Sequence, residues 1–227
     1  MDYSEQKIVS MYRTVFLKIS IVLVLVIFSG CFANEKTAQL PYYNTPDFTP
    51  QFINNPQDVS EKITHTISPF LFTDQHEKQI TEKNIEDKIH VANFIFTSCS
   101  SICPVMIKHM KLLQQEFKSN PGIVMLSFSV TPWIDDVSRL KKYAENNEIT
   151  SPNWHLLTGS KAEIYTLARQ SYFAEEDLGF SKDSTDFLHT EHILLVDKTK
   201  RIRGIYNGTL QLEAEQLIKD IKELMKE

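Results

Sequence analysis

The chain has 227 residues, enough for one domain with additional segments, and its 42% apolar and 11% aromatic content is that of an ordinary globular protein. A formal net charge of −5 gives no basic excess, which excludes the positive stripe that nucleic acid binding needs. Three cysteines, Cys31, Cys99 and Cys103, are too few for a disulfide framework, and a core of this size needs none.

Residues 1–31 are expected to be an address and an anchor. Ile19 to Phe28 reads ISIVLVLVIF, too short for a transmembrane helix, which takes about 20 residues, but the right length for the apolar core of a signal peptide. Arg13 and Lys18 place positive charge ahead of it, while Asp2 and Glu5 fit poorly there, so Met11 is an alternative start to Met1. Phe28-Ser29-Gly30-Cys31 is similar to a bacterial lipobox, in which the cysteine becomes the lipidated first residue, although Phe28 stands where Leu is usual. The competing reading is an uncleaved anchor helix with Cys31 as a bystander; the short run favours the lipoprotein. Either reading puts the rest of the chain outside the cytoplasm and beside a membrane, on the periplasmic side or at the cell surface. Pro41, Pro46, Pro50 and Pro56 then mark 32–60 as an extended tether, since prolines at this density oppose both helix and central strand.

From residue 61 to 227 strands and helices alternate. Phe70 to Thr73 and the turn Asp74 to Glu77 predict an N-terminal hairpin. Val91 to Thr97 (VANFIFT) reads as a buried strand, and Pro104 opens a helix with Met106, Met110, Leu113 and Phe117 on one face. Ile123 to Val130 is a second buried strand. Asp135 or Asp136 caps a helix running to about residue 147, and Trp154 to Leu157 is a short strand. Ser160 caps a further helix bearing Ile164, Leu167 and Ala168. Ile193 to Val196 and Arg201 to Tyr206 form a hairpin, 172–187 is an inserted loop, and an amphipathic helix from Leu212 to Lys226 closes the chain. That order implies an α/β fold with a mixed central sheet flanked by helices.

The chemistry concentrates at Cys99-Ser100-Ser101-Ile102-Cys103-Pro104, where a strand ends and a helix begins. Free N–H groups and the helix dipole there favour thiolate, the form that binds metal or attacks disulfides. Two close soft sulfur donors favour Cu(I), with zinc as competitor, and an added imidazole lets the site hold Cu(II) as well. A structural zinc site wants four ligands, and the chain offers a single close cysteine pair. An inert disulfide or two buried thiols is the plainer reading; the Ser-rich spacing at a strand-to-helix junction argues for a working site.

These residues resemble the Sco/SenC family of copper proteins of respiratory oxidase assembly. The CxxxCP segment at Cys99 to Pro104 is similar to that family's metal motif. Phe70 to Gln75 resembles its opening hairpin, and Ser129-Val130-Thr131-Pro132 with Asp135, Leu140, Tyr143 and Ala144 its SVDP segment and following helix. Trp154 to Gly159 and Leu188-His189 ahead of Leu194 to Asp197 complete the resemblance, which spans roughly residues 60 to 225. It implies a thioredoxin-like fold, copper bound by Cys99, Cys103 and His189, and a metallochaperone role toward the copper subunit of a respiratory oxidase or its assembly factors. The same Cys99 and Cys103 would form the redox-active disulfide. Thr131 stands where the family often has Asp, which puts an acidic contribution at that position in doubt.

Other readings use the same residues. A thiol-disulfide oxidoreductase would want CxxC and a cis-proline near 188–193, and neither is present. A peroxidase would want Thr where Phe96 stands, three residues before Cys99; a copper or redox sensor needs nothing further. Among the other histidines, His192 is the nearest rival to His189, but its odd offset along a strand turns it to the opposite face. His109 is expected to face away from the cysteines, His155 to pack beside Trp154, and His65, His76 and His90 to lie on the surface or in loops. Met106, Met110 and Met125 are expected in the core rather than along a copper path.

Overall fold

An apolar run without polar alternation, such as Val91 to Ile95 or Ile123 to Leu126, must be covered on both faces. The computed structural model, which describes residues 39–174 and 190–227, meets that demand with one mixed sheet between two core layers. Its centre is β5 (Ile89–Ile95), β6 (Ile123–Ser129) and β7 (Trp154–Thr158), all parallel. Parallel neighbours need crossover connections. Helix α2 (Ile102–Phe117) joins β5 to β6, and α3 (Val137–Asn146) joins β6 to β7.

Strands β8 (His192–Val196) and β9 (Ile202–Asn207) extend the sheet antiparallel on the β5 side. The hairpin β3 (Leu71–Asp74) and β4 (Gln79–Thr81) extends it beyond β7. The full order is β2-β1-β9-β8-β5-β6-β7-β3-β4, where β1 is Tyr42–Tyr43 and β2 is Pro50–Gln51.

Alternate strand residues feed different layers. Val91, Ile95, Met125, Trp154, Ile193 and Leu195 pack under α2 and the closing helix α5 (Gln211–Leu224). Ala92, Phe94, Leu126, Phe128 and Leu194 pack on the other face, beneath α4 (Lys161–Thr166) and the wide turn Leu167–Ser171. Aromatic rings dominate that second layer: Phe94 stacks on Phe128 at 5.4 Å, and Phe70 and Phe72 meet Phe128 edge-on at 6.0 and 5.8 Å. Met106, Met110 and Met125 are fully buried on the α2 side, as core methionines. Among the described residues no helix is long and apolar enough to cross a membrane.

Three expectations are corrected. Residues 39–60 are part of the folded unit, which begins at Gln39, rather than tether. The prolines are accommodated because they sit where no ladder N–H is required: Pro50 lies on the edge strand β2, and Pro56 opens a 3₁₀ turn that leads into the short helix α1 (Val59–Lys62). Leu40, Tyr42 and Ile53 are buried, and Arg203, only 1% exposed, bonds the carbonyls of Leu40 and Pro41 at 3.0 and 3.1 Å. Its guanidinium lies over the Tyr42 ring at 4.0 Å and pairs with Asp197 and Glu227 at 3.3 and 2.7 Å.

The second correction is His90, which is fully buried in β5 because the strand begins at Ile89, two residues before the apolar run suggested. His65 does lie in a loop, half-buried, stacked on Phe173 at 4.1 Å with Nε2 2.8 Å from the Ser171 carbonyl. The third concerns the loop expected over 172–187. Tyr172, Phe173 and Ala174 are core residues, and the remainder of that segment lies outside the described residues.

His90 makes the fold acid-sensitive. Its Nε2 is 3.0 Å from the Tyr172 hydroxyl, and burial, with Lys200 adding repulsion, depresses its pKa to about 3. The unfolded chain therefore takes up a proton near pH 6.5 that the folded chain refuses. Stability is unaffected by this group above that pH and falls as the pH drops toward 3, at up to about 1.4 kcal/mol per pH unit. Urea titrations between pH 7 and 4 should show this slope, flattened in His90→Gln; an equal slope in the variant would assign the acid sensitivity elsewhere.

Candidate metal centre

Strand β5 ends at Ile95, helix α2 begins at Ile102, and the intervening loop carries the cysteine motif. The loop turns tightly: the Cys99 N–H bonds the Phe96 carbonyl at 3.1 Å. The Cys103 N–H then points back at the Cys99 sulfur at 3.4 Å. Both cysteines are free thiols, Cys99 half-buried and Cys103 2% exposed against the α2-side core. Helix α2 starts two residues earlier than Pro104, which sits in its first turn where a missing N–H is harmless.

The two sulfurs have different electrostatics. Burial alone would raise the Cys99 pKa, but the backbone N–H groups of Cys103, Ser101 and Ile102 and the Cys103 side chain outweigh it and hold the thiol below its usual range. Burial pushes Cys103 up to about 12, with the neighbouring Cys99 and Asp135 opposing a second negative charge. One sulfur is thus ready to act as thiolate, and the other gives up its proton only when something positive or electrophilic arrives.

The approach to Cys99 is braced by Asp135, which the sequence offered as a candidate helix cap and as part of the SVDP-like segment. Asp136 is the cap of α3, accepting from the Arg139 N–H at 2.7 Å. Asp135 instead is fully buried. It accepts hydrogen bonds from the Thr97 N–H at 3.1 Å, the Thr97 hydroxyl, the Ser129 hydroxyl at 2.7 Å and the Thr131 hydroxyl at 2.8 Å. Arg139 pairs with it at 3.4 Å and donates to the hydroxyls of Thr97 and Ser98 at 2.6 and 2.8 Å.

The strand end of β6 and the residues just before Cys99 are therefore held by one carboxylate. Thr131, where an acid was expected from the family pattern, serves as a donor to that carboxylate. Tyr143 lines a small cleft with Thr97; burial and the nearby Cys103, Cys99 and Asp135 raise its pKa. The sequence signal for Asp135 was the tandem Asp135-Asp136, because a helix uses only one side chain as its N-cap. Tyr143 was named within the family-like helix, and nothing comparable pointed to Arg139.

The structure brings Cys99 and Cys103 together. His189 and Cys31 lie outside the described residues, and among the described residues no three His, Cys, Asp or Glu side chains are grouped to hold a metal ion. Strand β8 runs antiparallel to β5 with Ile193 opposite Asn93, so the chain enters β8 at the sheet end from which the cysteine loop departs. His192 shares a face with Leu194 and Val196 and meets Phe48 edge-on at 6.0 Å, whereas Ile193 and Leu195 face the α2 layer to which Cys103 belongs. His109 is turned toward the β9–α5 connection, its Nδ1 2.7 Å from the Gly208 carbonyl. His155 pairs with buried Asp74 at 2.9 Å. A cleft near β3 and α4, about 580 Å³ and lined by Phe70, Phe72 and Leu167 among others, contains neither cysteine.

The donor set suits a soft monovalent cation: two sulfurs, one already biased to thiolate, with an imidazole needed to complete a site for the divalent ion.

Comparison with known proteins agrees with this chemistry. The SCO1/SenC family model matches residues 59–226. The solved structure of BsSco, described as a member of the Sco family of cytochrome c oxidase assembly proteins with a disulfide switch, is 31% identical. It superposes with a TM-score of 0.59 over 70% of this chain and 93% of that one. A SCO1/SenC family lipoprotein from Bacillus anthracis str. Ames is 29% identical, with a TM-score of 0.62 over 71% and 95% of the two chains. ScoI of Bradyrhizobium japonicum, solved with copper bound, is 25% identical, with a TM-score of 0.56 over 70% and 99%. With its thioredoxin-like mixed sheet and its CxxxCP loop at the head of α2, this chain belongs to the SCO1/SenC family.

Proposed function

We propose that this protein is an extracytoplasmic copper metallochaperone that carries one copper ion on Cys99, Cys103 and His189 and supplies it during assembly of the dinuclear copper centre of a respiratory oxidase. Copper is the cargo, bound and then released to the oxidase copper subunit or its assembly factors. The observation that carries the reading is the cysteine pair at the start of α2, with its ready thiolate and its buried partner. Cu(I) needs little more than two sulfurs; Cu(II) needs more ligands and a harder nitrogen. His189 is favoured as that nitrogen because the chain approaches β8 at the cysteine end of the sheet, while His192 is turned to the opposite face. The copper-bound relative and the relative described as an oxidase assembly protein support the cargo and the destination.

The asymmetry of the thiols favours a second use of the same pair. Cys99 thiolate would attack one sulfur of a target disulfide and expel the other as thiolate. Cys103 would then give up its proton and attack the Cys99 sulfur, releasing the target's second cysteine. The Cys99–Cys103 dithiol loses two electrons and two protons, and the target disulfide gains them. Reduction of the target's cysteines and delivery of copper to them are compatible steps of one assembly role.

The reduced domain, beginning at Gln39, should bind one copper ion, with an intense visible thiolate-to-Cu(II) absorption. Cys99→Ala should abolish the band; undiminished copper binding by that variant would sink the assignment. His189→Ala should weaken Cu(II) far more than Cu(I), and His192→Ala should change neither. Loss of Cu(II) in His192→Ala alone would reverse the choice of histidine.

Cys31 is proposed as the lipidated first residue of the mature chain, a reading supported by the lipobox-like Phe28 to Cys31 and by the lipoprotein relative. Cys31→Ser should release the protein from membranes in cells while leaving the copper affinity of the purified domain unchanged. Absence of fatty-acid label on the wild-type chain, with Ile19 to Phe28 retained in the mature protein, would mean an anchor helix.

A further inference from the structure

The surface beside the cysteine loop has a charge opposite to that of the molecule as a whole. Two clefts meet at Asn146 between α2 and α3. The first, about 270 Å³, is lined by Thr97, Arg139, Lys142, Tyr143 and Asn146. The second, about 370 Å³, continues along α2 past Pro104, Lys108 and Lys111. The groove so formed starts two residues before Cys99, passes the residue after Cys103, and has, among the described residues, four cationic side chains and no carboxylate in its lining. Arg139 is committed to Asp135 and the cysteine loop, and Lys111 pairs with Glu148 at 2.5 Å at the far end. Lys108 and Lys142 are exposed on facing helices. The chain carries a net −5, so this local positive lining is not a by-product of composition.

Exposed apolar side chains flank the same loop. Val105, two residues beyond Cys103, is 38% exposed, and Trp133 and Ile134, in the turn that delivers Asp135, are 57% and 43% exposed. Exposed apolar side chains bordered by charged ones mark a protein–protein contact, in which an apolar patch has a polar surround.

We propose that the α2–α3 groove is the docking site for an acidic segment of the protein that exchanges copper or electrons with Cys99, the lysines drawing that segment along the groove so that its sulfur donors arrive at Cys99. The proposal rests on the reading of Cys99 and Cys103 given above. Electrostatic complementarity of this kind acts chiefly on encounter rate and orientation and is weakened by salt.

The test uses the reduced 39–227 domain labelled with nitrogen-15 and two nonapeptides, one of three Glu-Glu-Leu units and its Lys-Lys-Leu twin. Titration with the acidic peptide should shift amide resonances on the exposed faces of α2 and α3, and the Lys twin should not. The shifts should fade on raising salt from about 20 to about 300 mM, as the screening length shortens. The double variant Lys108→Glu/Lys142→Glu should bind the acidic peptide at least about tenfold more weakly, since it reverses two charges in the lining. Lys219→Glu, on α5, should bind it as wild type does. Thermal unfolding of each variant shows that the fold is retained.

Equal response to the two peptides, shifts mapping away from the groove, or acidic-peptide binding that survives the double substitution would overturn the proposal. Copper titration of the same samples reports separately on the metal site. Groove shifts without copper uptake would uphold the docking surface and sink the metal reading; copper uptake without groove shifts would do the reverse.

Discussion

The carboxylate of Asp135 joins the ends of two parallel strands at the point where the chain leaves the sheet to make its cysteine loop. It takes the Thr97 N–H and hydroxyl from beyond β5 and the Ser129 and Thr131 hydroxyls from the end of β6. A buried carboxylate is costly to desolvate unless its lone pairs are filled, and here hydrogen bonds and the Arg139 guanidinium fill them. Because Arg139 also bonds Ser98, the residue before Cys99 is tied to the same network. The position of the first sulfur thus depends on a polar cluster anchored to the fully buried central strands, which close packing on both faces holds rigid.

That rigidity comes from the two core layers. Strand β5 sits between β6 and β8 and is buried along its whole length, and α2 lies over it through Met106, Met110 and Leu113. A helix packed in this way presents its first turn at a set height above the strand end. The N–H groups of that turn face the Cys99 sulfur, and the Cys103 side chain, one helical turn along, is drawn into the core. The contrast between an accessible, thiolate-prone sulfur and a buried, proton-retaining one is therefore a consequence of where the helix begins. Either a metal ion or a disulfide exchange partner would meet Cys99 first and Cys103 second.

The amino-terminal part of the folded unit is held by a comparable device at the other end of the sheet. Arg203 bonds the carbonyls of Leu40 and Pro41, stacks on Tyr42 and pairs with Asp197 and Glu227. It closes the β1–β9 edge with a charge that would be prohibitively costly to bury alone. Residues 39–60 are thereby continuous with the sheet rather than part of an extended tether.

The periodicity of the chain determined most of the architecture. Apolar runs of strand length, the apolar face from Met106 to Phe117 and the Ser160 cap correspond to observed elements because each depends on nearest neighbours along the chain. The cysteine motif and its strand-to-helix setting were legible for the same reason, as were the core roles of the methionines. What the chain could not reveal by itself depends on contacts between residues far apart in sequence. Edge pairing absorbed the prolines of 39–60, burial of His90 followed from a strand start that only its neighbours define, and the roles of Asp135 and Arg203 arise from partners 38 and up to 163 positions away. Buried polar groups carry no periodic signal, because their cost is balanced by partners that only the folded chain brings within reach.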